Sequence, residues 1–431
     1  MRFFRTVIVF SLLATFCNAS DQSKSTVARA ATSVLQVAEL TPPDGVNDGF
    51  FGQSVAISGD GNTIAVESFE NASGPGAIYV YEKPASGWQN PTLTAELTVT
   101  GGLTFLYAPI AMSQDGSTIV VNGFNATPYP QVFVFVKPST GWTNMTQTAA
   151  LHATHGGEFG FGNAIATDGD DVLVGATGCS GNGDFSSGSA YLFVKPASGW
   201  ADMTQTAKLE ETNPIDCDDY GSSVAIQGET AVVGRSGGGM TPPVAPGAIY
   251  VFTKPASGWA TMGETAILSS STEYVDSYLG DSVALSGKTI LAPLSLSSQA
   301  TNTVYIFTEP AGGWVSATET ATLTNTAKGV TSLGLNSAVS GSTAAVVAEY
   351  HGHGVYGYVG ALTLYNEPTN GWQNASAPST TIFPSDGTSS ARFGFGNGSV
   401  AMGSGYIVVG SEDAARNGFT NAGAAYIFQQ N

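Results

Sequence analysis

One six-residue stretch recurs along this chain, and a long-period repeat constrains the fold more than any single residue does. It first appears as Lys83-Pro84-Ala85-Ser86-Gly87-Trp88. It returns as Lys137 to Trp142, Lys195 to Trp200 and Lys254 to Trp259, and then, with Glu in the lead, as Glu309 to Trp314 and Glu367 to Trp372. These copies hold all 6 tryptophans of the 431 residues, at spacings of 54, 58, 59, 55 and 58 residues. Length alone suggests two or three domains, but a closed array absorbs the whole chain into one.

Between the tryptophans the pattern is short and β-branched. Phe51 to Ile57 opens a unit and Ser58-Gly59-Asp60-Gly61 turns the chain. Thr63 to Val66 reads as a second strand, Ala77 to Tyr81 as a third and Thr92 to Leu97 as a fourth. The Lys-Pro-x-x-Gly-Trp stretch falls between third and fourth strands, with Pro and Gly in turn positions. The 54 glycines and 20 prolines of the chain suit this density of turns. Four strands in about 55 residues make one blade of a propeller. First strands begin near Phe51, Leu106, Phe161, Tyr220, Leu279, Leu333 and Phe395, so seven blades are predicted. Phe51, Phe161 and Phe395 are expected in the core.

The seventh unit ends just past its third strand, at Asn431. Its missing fourth strand has a match at the other end, where Val37-Ala38-Glu39-Leu40 repeats the fourth-strand signature of Thr94-Ala95-Glu96-Leu97. The expected fold is therefore all-β: a seven-bladed β-propeller of four-stranded antiparallel blades, over residues 33–431, whose last blade is completed by an N-terminal strand. Such closure leaves no open edge between the chain ends. Residues 1–19 read as a secretory signal, with Arg2 and Arg5 ahead of an apolar run and a small-residue site at Cys17-Asn18-Ala19. Residues 20–32 read as a polar linker.

Phe-Gly at the start of the units and Gly-Ala after second strands, as in Val174-Gly175-Ala176, resemble the FG-GAP repeat. This is the unit of the integrin α-subunit propeller and of many secreted bacterial propellers. The resemblance implies an integrin α-like propeller, a part in adhesion, and calcium in the turn between the first two strands. That calcium turn is Asp-x-Asp-x-Asp-Gly in the family, and no turn here matches it. Asp168, Asp170 and Asp171 come nearest, and an ordinary hairpin turn is the competing reading. No other cofactor is expected.

Net charge is −19 on the full chain and becomes more negative once the leader's arginines are lost. This argues against nucleic acid and anionic lipid as partners. The leader points to a secreted or periplasmic protein, without membrane insertion and expected as a monomer. In an oxidising compartment Cys179 and Cys217 are candidates for a disulfide, with two separate thiols as the alternative.

In a propeller, loops after second and fourth strands share one face. Here that face receives Asp184, Asp216, Asp218, Asp219, Glu349, His351, His353, Glu412 and Asp413, while the Lys-Pro turns fall on the other. These acids and histidines are the candidate ligand contacts; polar loops without a ligand are the plain alternative. His351 and His353 with Glu349 have metal-ligating chemistry, but exposed loop histidines are the preferred reading and no metal is expected there. No Gly-x-Ser-x-Gly stands at a strand-to-helix turn, no His-Glu-x-x-His is present, and no carboxylate pair stands out for glycoside hydrolysis. The leading expectation is a non-catalytic propeller binding an extracellular protein or glycan through its acidic loop face. A glycan hydrolase or lyase at the channel mouth and a structural cell-surface module are the alternatives.

Overall fold

The computed structural model describes residues 33–43, 45–69, 76–100, 109–123, 130–154, 159–178, 187–237, 246–272, 278–296, 299–327, 330, 333–348, 360–386, 392–396 and 398–431. The leader and linker readings, on residues 1–32, lie outside them. Ser33–Asn431 forms one compact unit. The described residues form seven small sheets with no helix among them. The innermost strands are Val55–Ile57, Ile110–Met112, Ala164–Thr167, Tyr220–Gln227, Ala284–Ser286, Leu333–Ser340 and Val400–Gly403. Each touches the next and the last touches the first, which closes a ring. The protein is a seven-bladed β-propeller.

Closure runs through the N-terminal strand, as its sequence match indicates. Val34–Leu40 pairs antiparallel with Ala424–Gln430 and is the outer strand of blade 7. A second device reinforces it. Arg416, in the loop preceding Ala424–Gln430, pairs with Glu39 on the closing strand and with Asp386 of blade 6.

Second strands are apolar on consecutive residues because each of their faces meets a neighbouring blade. Ile64 and Val66 pack in the core between blades 7 and 1, whereas Ala65 packs in the core between blades 1 and 2. The glycines of the repeat have a steric cause. A Cβ on Gly175, Gly234 or Gly410 would lie 2.0, 1.9 or 1.7 Å from the carbonyl oxygen of Gly221, Gly280 or Gly52 respectively. Those carbonyls belong to the turn that opens the following blade, so the missing side chain is what lets adjacent blades approach.

The tryptophan turns carry a feature that composition does not announce. In four blades the fourth strand gains a short parallel partner from the next repeat: Met145–Thr146, Met203–Thr204, Met262–Gly263 and Ala317–Thr318. Side chains of this strap cap the exposed edge. Asn144 accepts from the Glu96 amide, Asp202 from Ala150, Thr261 from Lys208, Ser316 from Ile267 and Asn374 from Thr322. Each residue lies two places after its tryptophan, and the strap satisfies amides that an outer strand would otherwise leave open.

One expected register is wrong. Phe393, not Phe395, is the buried aromatic that opens blade 7, in contact with Tyr426 and Phe428. The amide of Gly394 bonds the Gly410 carbonyl as that of Gly52 bonds the Glu67 carbonyl. Blade 7 therefore has a longer lead into its first strand than blade 1, and Phe395 falls in the extra turn. Arg392-Phe393-Gly394-Phe395-Gly396 contains the motif in two overlapping frames, so the sequence alone leaves both open.

Candidate binding site at the channel mouth

The central channel opens on the face reached by loops after second and fourth strands. Its cavity of about 850 Å³ is lined by starts of first strands and by residues just after second strands. A size of roughly 300–1,000 Å³ is typical of small-molecule sites. Amides come from Asn122, Asn163 and Asn336, hydroxyls from Ser222, Ser223, Ser282 and other residues, carboxyls from Asp219, Asp281 and Glu412, and one aromatic ring from Phe395.

Several of these groups are unsatisfied. Asn122 is 3% exposed, and its Oδ1 has no partner among the described residues, nor has Ser337 Oγ. A buried acceptor without a donor is costly, roughly 1–3 kcal/mol. No hydrogen bond or ion pair reaches the carboxylate of Asp219 or Asp281 from a described residue. Burial pushes Asp219 upward; burial and then the charge of Asp219 push Asp281 upward. Asp281 is ringed by protein yet open to the channel lumen, so water softens this effect.

The turn that carries Asp219 is strained and anchored. Cys217 and Asp219 have φ of 60° and 58°, a region that non-glycine residues avoid. Between them, Asp218 is fully buried. Arg235 Nη1 lies 3.3 Å from Asp218 Oδ2 and 3.2 Å from Glu211 Oε2, and the Tyr250 hydroxyl donates to Glu211 at 3.0 Å. Burial first, then Glu211's charge, raise Asp218 to about 7 against the pull of Arg235. Cys217 is buried and disulfide-bonded. Cys179 lies outside the described residues.

A second cluster sits where blade 7 meets blade 1. Glu412 accepts from Gln53 Nε2 at 3.0 Å and pairs with Arg392 at 3.3 Å, while Arg392 also reaches Asp413 at 2.9 Å. The Arg392 guanidinium lies 4.4 Å from the Phe395 ring centroid, so the misread phenylalanine forms part of the mouth. Glu67 is fully buried nearby, with neither oxygen partnered among the described residues. Burial, and secondarily Glu412's charge, push it well above the carboxylate range.

Of the residues singled out from sequence, Asp219 and Glu412 line the channel. Asp218 and Asp413 lie behind them in ion pairs, and Asp216 is exposed. Asp184, Glu349, His351 and His353 lie outside the described residues. Asp168, Asp170 and Asp171 do not converge. Asp168 accepts backbone amides including that of Gly228, Asp170 pairs with Lys195 at 2.6 Å, and Asp171 bonds Lys254 and the Trp259 indole. No group of described residues has the arrangement of a metal site. Asp281, Asn122 and Arg235 were missed. Asp281 was findable: it follows Leu279-Gly280 as Asn163 follows Phe161-Gly162 and Ser222 follows Tyr220-Gly221, and all three line the channel.

Comparison with known proteins agrees with the repeat. A family model described as the FG-GAP repeat matches residues 34–81, 145–193, 203–252 and 379–428. Each match holds the fourth strand of one blade and three strands of the next, so the sequence repeat is offset by one strand from the blade. With these repeats on a seven-bladed ring, the chain is an FG-GAP β-propeller. Among curated proteins none matches it in sequence. Similar solved structures include a periplasmic gluconolactonase of Pseudomonas aeruginosa, at 13% identity and TM-score 0.47, with 77% of this chain and 87% of that one covered. A putative 6-phosphogluconolactonase of Bacteroides uniformis has 13% identity and TM-score 0.45, with 77% and 88% covered. Prolyl endopeptidase structures have 14% identity and TM-score 0.43, with 88% and 46% covered. No helix among the described residues is long and apolar enough to cross a membrane.

Proposed function

We propose that this FG-GAP propeller is a secreted, non-catalytic binding protein that recognises an extracellular glycan at the mouth of its central channel. The observation that carries the reading is the ring of amides, hydroxyls and carboxyls around the channel, with the buried Asn122 Oδ1 left unpartnered. Sugars present dense donors and acceptors, and Phe395 supplies an apolar face for a pyranose ring. The three carboxyls that line the channel, Asp219, Asp281 and Glu412, are all pushed upward. Hydrolysis by paired carboxyls uses two environments that drive their pKa values apart, one acid held protonated and one ionised. The protein acts as a monomer outside the cytoplasm, with Cys217 bridged to Cys179.

The test is retention on an array of neutral and charged oligosaccharides, using the chain from residue 20 onward. We expect a restricted set of glycans to be held intact, with reducing-end release absent after long incubation. No retention at high protein concentration would overturn the reading. A specific observation favours hydrolysis as the second reading: Asp219 and Asp281 face one lumen and interact by charge. Time-dependent cleavage of a retained glycan, lost in Asp281→Asn, would establish it instead.

A further inference from the structure

We propose that Asp219 and Asp281 together receive the ammonium group of an amino-sugar unit. This rests on the glycan reading above and names the class of glycan. The two carboxylates line the same cavity, from the openings of blades 4 and 5, and neither meets a positive charge among the described residues. Arg235 is held behind the wall by Glu211 and Asp218, and Arg392 lies beside Glu412 and Asp413. The free protein thus holds two like charges in mutual repulsion, and a cation between them relieves it. The strained Asp219 backbone, pinned by the Arg235 ion pairs and the disulfide at Cys217, keeps one member of the pair in place.

The rest of the lining selects among cations. A divalent metal needs several oxygen ligands at one point, and no described group supplies them. A lysine side chain brings one polar group on an unbranched stem. Here the lining beside the two aspartates mixes the hydroxyls of Ser222, Ser223 and Ser282 with the apolar Val224 and Val283, and Asn122, Asn163 and Asn336 stand elsewhere around the ring, so it suits a ligand with several hydroxyls and an apolar face. Asn122 lines the same cavity, with its buried Oδ1 unpartnered among the described residues. An ammonium surrounded by hydroxyls on one rigid ring matches both halves of the lining.

The experiment compares a β-1,4-linked glucosamine hexamer with its fully N-acetylated counterpart by calorimetry at low and high salt. We expect the amine form to bind at least about tenfold tighter, the size of one charge-assisted contact. That advantage shrinks with salt. Asp281→Asn and Asp219→Asn abolish the difference between the two hexamers. Both variants should melt at or above the wild-type temperature, because each removes a repulsion, so loss of fold would not mimic the result. Equal binding of the two hexamers, unchanged in Asp281→Asn, overturns this inference while the glycan reading stands. Binding of neither hexamer, with other glycans retained on the array, also overturns it. Binding of oligolysine with the same dependence on Asp281, and of no sugar, overturns both readings in favour of a protein ligand.

Discussion

The two ends of the propeller are built on opposite terms. At the hairpin end every unit repeats. All 6 indoles are buried, those of Trp88, Trp142 and Trp200 donate to Gly61, Gly116 and Gly169 carbonyls, and turns that need positive φ use glycine, as at Gly87, Gly141 and Gly199. At the mouth the repeat breaks. All 7 described non-glycine residues with positive φ lie in its loops: Asp48, Phe50, Cys217, Asp219, Arg392, Asn417 and Asn421. At the hairpin end carboxyls such as Glu82 pair with lysine, whereas at the mouth Asp219 and Asp281 meet no described cation and interact with one another by charge. Regular repetition stabilises a ring. Departures from it that store strain and unmet polarity are where a ligand has something to supply.

The largest expected effect comes from breaking the anchor of the mouth. Arg235→Met leaves Glu211 and Asp218 buried without their cation. We expect a loss of about 3–5 kcal/mol in urea unfolding. A loss under 1 kcal/mol would show that the cluster does not hold the mouth.

A milder perturbation is pH. Asp218 is raised to about 7 in the folded state from an ordinary 3.8. Between these values the folded protein holds the proton more tightly than the unfolded chain. Its contribution is therefore present below about 4 and is lost as pH rises toward 7. Melting temperature should fall more steeply over that window in the wild type than in Asp218→Asn; parallel profiles would contradict the assignment.

The smallest effect belongs to the hairpin end. Trp88 donates its indole N–H to Gly61, whereas the Trp372 indole N–H has no partner among the described residues. Both rings are buried, so Trp→Phe removes similar packing at each. We expect Trp88→Phe to be costlier by about 1 kcal/mol. Equal losses would mean that the bond to Gly61 adds nothing.

Much of the ring was legible because it is written seven times. Spacing alone located the blades, and the lack of a seventh tryptophan turn pointed to the closure by Val34–Leu40. The division into two faces assigned Asp219 and Glu412 to one set of loops, and both line the cavity there. What escaped had a physical reason in each case. Phe395 escaped because two overlapping Phe-Gly pairs offer two registers. The straps escaped because two-residue pairings have no periodicity, although the acceptor at the second place after five tryptophans was there to be seen. Arg235 and Glu211 escaped because ion pairing across a blade is a matter of space and not of sequence distance.

The most direct measurement of where this molecule binds is hydrogen–deuterium exchange with and without a retained oligosaccharide. We expect protection in the segments around Asp219, Asp281 and Phe395, and none in the six tryptophan turns. Protection confined to those turns, with the mouth unchanged, would contradict a binding site at the channel.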